Sequence, residues 1–187
     1  MGYSKNILAE IIKKLLGEGV EAVLIGDTCV QLALDHEILE GDLDLFVLNP
    51  SPLVERDFYM NIAERNKWGL SSTEIGTPAL IIPTNEGDVV VELYENYMDI
   101  EIPFEILEDK IEYKIQGVKV QSLRPEHYIV LKARQGIDLD KLYKYINELK
   151  ERRRLNIGII KQVAYLYPED DAELIISRLS SIGLEIE

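Results

Sequence analysis

Residues 24–48 read LIGDTCVQLALDHEILEGDLDLFVL, and the order of elements in this stretch decides the fold. A short apolar strand is predicted over residues 20–25 and ends at Gly26. The residues that follow, 27–39, have the apolar periodicity of a helix. A second strand is predicted over residues 43–48. Its last four residues are all apolar, which is typical of a central strand covered on both faces.

Two aspartates, Asp42 and Asp44, stand at the head of this second strand. Residues i and i+2 of a strand point to the same face, so the two carboxylates are expected to be neighbours. Carboxylates that close repel each other, and a cation between them relieves the repulsion. Mg²⁺ is typically held by one or two carboxylates together with phosphates and waters, so the pattern predicts a metal site. Two solvated acids at a strand start are the alternative interpretation.

A third acid for this site is predicted on a later strand, over residues 89–94. Glu92 has apolar neighbours on both sides, which indicates that its strand is buried as well. Asp88 has the same strand parity and is the second candidate, but it lies in a predicted turn. A glutamate at the rim of a sheet, without a functional role, is the alternative interpretation for Glu92.

The glycine after a strand, the helix, the run DLDL at residues 42–45 and the later strand carboxylate resemble a known family. This is the minimal nucleotidyltransferase fold of the DNA polymerase beta-like superfamily, and the resemblance covers residues 20–93. The chain is also similar to small uncharacterised archaeal proteins of that superfamily. It is similar as well to the nucleotidyltransferase-like toxins of bacterial abortive-infection systems.

The resemblance implies a reaction and a cofactor. Asp42, Asp44 and Glu92 would be catalytic and would bind Mg²⁺ or Mn²⁺. Two such ions would activate an attacking hydroxyl and stabilise the leaving pyrophosphate. The substrate would be an NTP, whose nucleoside monophosphate passes to a hydroxyl on a protein, an RNA or a small molecule.

The resemblance also implies a nucleotide-binding set. Gly26 would let the phosphates approach the backbone, and Thr28 would offer a hydroxyl. Lys132, on a predicted helix over residues 125–135, would contact a phosphate. Asp27 stands where the family usually has Gly or Ser, and its carboxylate would repel the phosphate that this position should accept.

The charge pattern departs from the family. Residues 15–55 contain no Lys or Arg, whereas many relatives carry a basic residue shortly before the aspartate pair. Two hypotheses therefore stand. The chain is either a metal-dependent nucleotidyltransferase, or a catalytically degenerate module of that fold. Such a module would bind a nucleotide, a cation or a basic protein partner, as in a toxin–antitoxin pair.

Composition restricts the classes of function further. The formal net charge of −14 disfavours non-specific binding to nucleic acid, which needs a basic surface. No apolar run is long enough to span a bilayer, so no membrane association is expected. The single cysteine, Cys29, rules out an internal disulfide and fits a reducing cytoplasm.

The expected fold class is α/β or α+β, with a mixed central sheet, flanking helices and a helical C-terminal part. We expect a nucleotidyltransferase-like core over residues 1–123 and a helical part over residues 124–187 that packs on it. Further strands are predicted over residues 70–75 and 79–82, and a hairpin over residues 111–115 and 118–122. Further helices are predicted over residues 4–16, 52–67 and 139–155, with two more starting at Asn156 and Pro168.

Overall fold

A computed structural model of the chain describes residues 2–186, which contain nine strands and eight helices. The strands are β1 (Gly2–Ser4), β2 (Glu21–Leu24), β3 (Ile38–Glu40), β4 (Leu43–Asn49), β5 (Gly69–Ser72), β6 (Pro78–Thr84), β7 (Gly87–Tyr94), β8 (Ile111–Ile115) and β9 (Val118–Ser122). The helices are α1 (Lys5–Gly17), α2 (Asp27–Ala33), α3 (Arg56–Asn66), α4 (Phe104–Glu108), α5 (Pro125–Gln135), α6 (Leu139–Glu151), α7 (Ile157–Ala164) and α8 (Glu169–Ser181).

Seven strands form one mixed sheet in the order β5-β6-β7-β4-β2-β9-β8. Strand β4 pairs in parallel with β7 on one side and antiparallel with β2 on the other. Strand β2 in turn runs parallel to β9. The predicted mixed central sheet is therefore confirmed, and the strand that follows the aspartate pair lies at its centre. Strands β1 and β3 form a separate two-stranded sheet.

Most of the apolar residues of β4 are buried, as its sequence predicts. Leu43 and Leu45 are fully buried, and Val47 is nearly so. The expectation of burial on both faces is wrong for Leu48, which is 48% exposed. The pairing of β4 with β2 is irregular there, since the register shifts between Glu21 and Ala22 and passes over Leu48.

The helix after Gly26 is shorter than predicted. It ends at Ala33, and residues predicted as its last turn form strand β3 instead. Asp35 has a φ of 59°, a left-handed conformation that cannot continue a helix. Leu39 is fully buried, but it reaches the core as a strand residue paired with Tyr3 of β1. The prediction that Leu39 belongs to the helix is therefore wrong.

Other elements differ mainly at their ends. Helix α3 begins four residues later than predicted, α6 ends four residues earlier, and α4 was not predicted. The β8–β9 hairpin and helix α5 have the predicted bounds. The hairpin turns at Gln116 and Gly117, which both have positive φ. Asn156 caps α7, and its side-chain oxygen accepts a 3.0 Å hydrogen bond from the backbone N–H of Gly158.

The helices after residue 123 share one hydrophobic core with the sheet. Helix α5 contacts α2, α6, α7 and α8, and buried residues of all these elements belong to a single apolar cluster. The predicted division into a core over residues 1–123 and a helical part over residues 124–187 stays a prediction. The outer ends of its two ranges, Met1 and Glu187, lie outside the described residues. No helix within residues 2–186 has the length and apolar character needed to cross a membrane.

A buried residue of α5 tests whether both parts of the chain unfold together. Ile129 is fully buried, so Ile129→Ala should lower the free energy of unfolding by about 2 to 5 kcal/mol, because the transfer and cavity terms add. Ile157, which is 42% exposed on α7, offers a control of the same type. Ile157→Ala should change stability by about 0.5 kcal/mol or less. Urea unfolding should show one transition for both variants; a separate early transition in Ile129→Ala would contradict the shared core.

Candidate functional site

A cleft of about 810 Å³ lies between the sheet and helices α5 and α6. Strand β4, strand β7 and the residues between β2 and α2 form one wall. Helices α5 and α6 and the segment between them form the opposite wall. Apart from Thr28, every predicted site residue lines this cleft: Gly26, Asp27, Asp42, Asp44, Glu92 and Lys132.

Two carboxylates meet on the sheet wall of the cleft. Asp44 of β4 is paired in register with Glu92 of β7, so the two side chains are neighbours on the same face. Burial raises the pKa of Asp44 to about 7, and the charge of Glu92 contributes to the rise.

Tyr94 forms a hydrogen bond with Glu92 of this pair. It was not predicted as a site residue. Its hydroxyl donates a 2.5 Å hydrogen bond to Glu92 Oε2. The two residues are i and i+2 on β7, so they share a face of the strand. Burial, together with the adjacent Glu92, raises the pKa of Tyr94, so the phenol stays protonated and remains a donor. The sequence of β7 alone could have indicated that Tyr94 lies beside Glu92, because alternate residues of a strand share a face.

Asp42, which was predicted to pair with Asp44, is less closely placed than Glu92. Asp42 is exposed and precedes the first residue of β4, so it lies at the mouth of the cleft rather than on the strand. Among residues 2–186, no three His, Cys, Asp or Glu side chains come close enough together to form a metal site by themselves. The structure therefore presents an adjacent pair, Asp44 and Glu92, with Asp42 in the same cleft beside it.

Gly26 lies against the carboxylate of Asp44. A Cβ added at Gly26 would be 2.6 Å from Asp44 Cγ and 2.8 Å from Asp44 Cβ, distances that real Cβ atoms do not show. The glycine is therefore required by close approach, as its place between a strand and a helix indicated. The same closeness brings the backbone at Gly26 to the edge of the carboxylate pair.

Asp27 has partners that compensate its charge. The hydroxyl of Tyr128, on α5, donates a hydrogen bond to Asp27 Oδ1, and the ammonium of Lys141, on α6, contacts Asp27 Oδ2. The predicted repulsion of phosphate by Asp27 is therefore offset by a positive charge on its own carboxylate. Neither partner was predicted, because both lie more than a hundred residues further along the chain and are brought to Asp27 only by tertiary packing.

Thr28 and Cys29 point into the core. Thr28 is fully buried, and its hydroxyl lies 3.3 Å from the hydroxyl of Tyr3. Cys29 is also fully buried, and its thiol donates a hydrogen bond to the carbonyl of Leu24. The Thr28 side chain does not line the cleft, so its hydroxyl is not placed to contact a phosphate there.

Two basic residues of α5 line the cleft. Lys132 Nζ is 3.7 Å from Asp138 Oδ2, a loose contact with a carboxylate that is itself 64% exposed. Arg134 is held more firmly, with nitrogen–oxygen distances of 2.7 Å to Glu101 and 2.9 Å to Asp171. Lys132 is therefore freer than Arg134 to exchange its partner for a phosphate.

The cleft as a whole is strongly acidic. Its described lining contains ten acidic residues and only three basic ones, Lys132, Arg134 and Lys141. The absence of Lys and Arg from residues 15–55 is thus offset only in part by the helices of the C-terminal half. Such a cleft attracts cations and accepts a polyphosphate only when positive charge accompanies it.

The mixed sheet and the carboxylate pair beside a close-packed glycine define a nucleotidyltransferase-like protein. The fold is similar to that of an antigenic nucleotidyltransferase-like protein from Paracoccidioides brasiliensis, with a TM-score of 0.60 and 15% identity, over 100% of this chain and 97% of that one. Residues 4–181 match the profile of the family described as nucleotidyl transferase of unknown function, DUF2204. The chain belongs to this family, which confirms the predicted superfamily.

Two further structures are more distantly similar. One is the solution structure of the antibiotic-resistance factor ANT(2'')-Ia, with a TM-score of 0.47 and 15% identity, over 94% of this chain and 92% of that one. The other is a crystal structure of ANT(2'')-Ia in complex with adenylyl-2''-tobramycin, with a TM-score of 0.47 and 16% identity, over 95% and 99% of the two chains. No curated protein sequence matches the chain.

The contact between Gly26 and Asp44 can be tested by adding one methyl group. Gly26→Ala should displace the Asp44 carboxylate, and overpacking of this kind costs about 1 to 3 kcal/mol of unfolding free energy. Gly17→Ala is the control, because a Cβ at Gly17, the last residue of α1, meets no atom within 4 Å. Denaturant unfolding that gives the same stability for Gly26→Ala and Gly17→Ala would contradict the close approach.

The crowded acid pair predicts a specific pH dependence in the metal-free protein. Asp44 keeps its proton up to about pH 7 when folded but loses it near pH 4 when unfolded, so it destabilises the fold as pH rises through this window. Asp44→Asn should therefore be more stable than wild type at pH 8, by roughly 2 to 4 kcal/mol, and no more stable at pH 4. Thermal unfolding across this pH range measures the difference; a difference that does not change with pH would contradict the raised pKa of Asp44.

Proposed function

We propose that the protein is a metal-dependent nucleotidyltransferase that moves a nucleoside monophosphate from an NTP to a hydroxyl acceptor. The observation that carries the proposal is the register pairing of Asp44 with Glu92 inside a cleft, directly beside Gly26. The family to which the chain belongs and the fold both support this class of reaction.

The donor set fits a divalent cation such as Mg²⁺ or Mn²⁺. Carboxylate oxygens are the ligands that these hard cations prefer, and a Mg²⁺ site commonly uses one or two of them with phosphates and waters. Asp44 and Glu92 would supply the pair, and Asp42 would join from the mouth of the cleft. The pKa of Asp44 is raised first by its burial and then by the neighbouring charge of Glu92, and a bound cation would stabilise the ionised carboxylate against both. A bound cation would supply charge stabilisation to the transferring phosphoryl group and to the leaving pyrophosphate.

The chain's own residues bind and orient the reactants. Gly26 lines the cleft directly beside Asp44 and carries no side chain of its own, so a phosphate held near Asp44 would approach the backbone at this position. Tyr94 fixes the orientation of Glu92 through its hydrogen bond. Lys132 would move from its loose contact with Asp138 to a phosphate oxygen. The acceptor oxygen then bonds to the α-phosphorus, the bond to the pyrophosphate oxygen breaks, and the hydroxyl proton passes to solvent.

A catalytically inactive module is the second candidate, and the electrostatics of the cleft favour it. All three basic residues that line the cleft already contact carboxylates, and ten acidic residues surround them. A cleft of this kind would bind a cation or a basic protein segment without turning over a nucleotide. The transferase must bind an NTP and release pyrophosphate, whereas the module need not bind an NTP and releases no pyrophosphate.

A thermal-shift experiment with purified protein separates the candidates. With millimolar Mg²⁺ or Mn²⁺ and each NTP in turn, wild type should be stabilised, by about 2.7 kcal/mol when the NTP is at a hundred times its Kd. Asp44→Asn should lose the metal-dependent part of this shift. Asp57→Asn, on the exposed first turn of α3 and outside the cleft, should keep it.

Pyrophosphate release then tests turnover. Release of pyrophosphate in the presence of a hydroxyl acceptor, abolished in Asp44→Asn and Glu92→Gln, would support the transferase. A shift with metal and NTP but no pyrophosphate from any acceptor would favour the binding module. A shift with metal alone, and none from any NTP, would exclude nucleotide binding and leave only the cation-binding form of the second candidate.

A further inference from the structure

The place where relatives carry a small residue is occupied here by an ion pair. Asp27 directly follows Gly26, and its carboxylate is bridged by two groups from the opposite wall of the cleft. Tyr128 donates to one oxygen, and Lys141 contacts the other. The Lys141 ammonium is therefore held against the residue that follows Gly26, and Asp27 and Lys141 both line the cleft that contains Asp44.

The side chain of Lys141 has the length and exposure to contact an anionic partner other than Asp27. Its side chain is 48% exposed, and a lysine carries a compact charge on a flexible four-carbon stem. It also lines a shallower groove along α6, about 910 Å³ in volume, which shares Asp138 and Lys141 with the cleft. Lys141 thus lines both the outer groove and the cleft that contains the carboxylate pair.

Asp27 would keep a partner if Lys141 left it. The Tyr128 hydroxyl remains in place on α5, and burial together with Asp27 raises the pKa of Tyr128, so this donor stays protonated. Losing one of two partners is far less costly for a carboxylate that is 17% exposed than losing both. The pair Asp27–Lys141 can therefore open without leaving a bare buried charge.

We propose that Lys141 is a phosphate ligand of the NTP site, and that Asp27 holds it in position until a nucleotide binds. This inference rests on the proposed function. When the triphosphate enters beside Gly26, Lys141 exchanges the single charge of Asp27 for the several charges of the β- and γ-phosphates. A ligand shifts such an equilibrium only by its preference for one state, and here the preference comes from the greater charge of the triphosphate.

The exchange explains how an acidic residue can stand at this position. Asp27 takes the place of the Gly or Ser of relatives, and Lys141 brings back from another helix the positive charge that Asp27 offsets. Together with Lys132, it gives the nucleotide two lysines from the helical wall, whereas Arg134 stays bound to Glu101 and Asp171. The nucleotide would then join the two walls of the cleft.

The test compares two variants that break the same ion pair in opposite ways. Lys141→Gln removes the ammonium, whereas Asp27→Asn keeps the ammonium and removes the charge that holds it. Lys144→Gln, one turn further along α6 and exposed to the outer groove, is the control. Affinities for NTP and for the matching NMP are measured by isothermal titration at fixed Mg²⁺, alongside the melting temperature of each variant.

The expected pattern is specific to a phosphate ligand. Lys141→Gln should weaken NTP binding about tenfold, which corresponds to about 1.4 kcal/mol, and leave NMP binding unchanged. Asp27→Asn should bind NTP at least as tightly as wild type, although its melting temperature falls as much as that of Lys141→Gln. Lys144→Gln should match wild type in both measurements.

Each other result has a defined meaning. Equal losses of NTP affinity in Asp27→Asn and Lys141→Gln would identify the pair as a structural bridge and overturn the inference. Wild-type NTP affinity in Lys141→Gln would overturn it as well. If wild-type protein binds no NTP at any Mg²⁺ concentration, the proposed function itself fails. The wild-type measurement alone detects this outcome, so it is distinct from failure of the Lys141 inference.

Discussion

The site depends on the parallel register between β4 and β7. This register sets Asp44 opposite Glu92, and it also sets Leu43 opposite Val91 and Leu45 opposite Leu93. The four apolar residues are fully buried, so a slip of one residue would expose them and turn Glu92 to the other face of the sheet. The hydrophobic core therefore maintains the repulsion between the two carboxylates, because the alternative registers cost far more apolar burial.

Local patterns predicted much of this arrangement. A few adjacent residues are enough to predict several of its features. These are the alternation in β4 and β7, the turn of the β8–β9 hairpin and the start of α5 at Pro125. The end of α2 was not predictable in the same way. Leu39 is buried in either conformation, and only its pairing with β1, far away in the chain, makes it a strand residue. Element types set by neighbours were predicted, and boundaries set by tertiary contacts were not.

The same distinction applies to the cleft. Gly26, Asp44, Glu92 and Lys132 were grouped from the sequence, and the structure brings them to one cavity. The partners of Asp27 could not be predicted, because helix α6 has no pattern that indicates which of its lysines faces the sheet. Spacing along the chain indicates which acids share a strand face. It does not indicate which cation crosses from the other half of the chain to compensate them.

The division of charge across the cleft has a consequence for synthesis. The ribosome produces the acidic wall first, since β4, β7 and Asp27 all precede residue 95, whereas the lysines of the cleft lie at positions 132 and 141. Domains generally fold as units, so the sheet and the later helices are expected to fold together. A chain that stopped before α5 would lack all three basic residues of the cleft, and its acidic wall would then be uncompensated. Helices α5 and α6 therefore contribute both apolar burial and part of the charge compensation that the acidic wall needs.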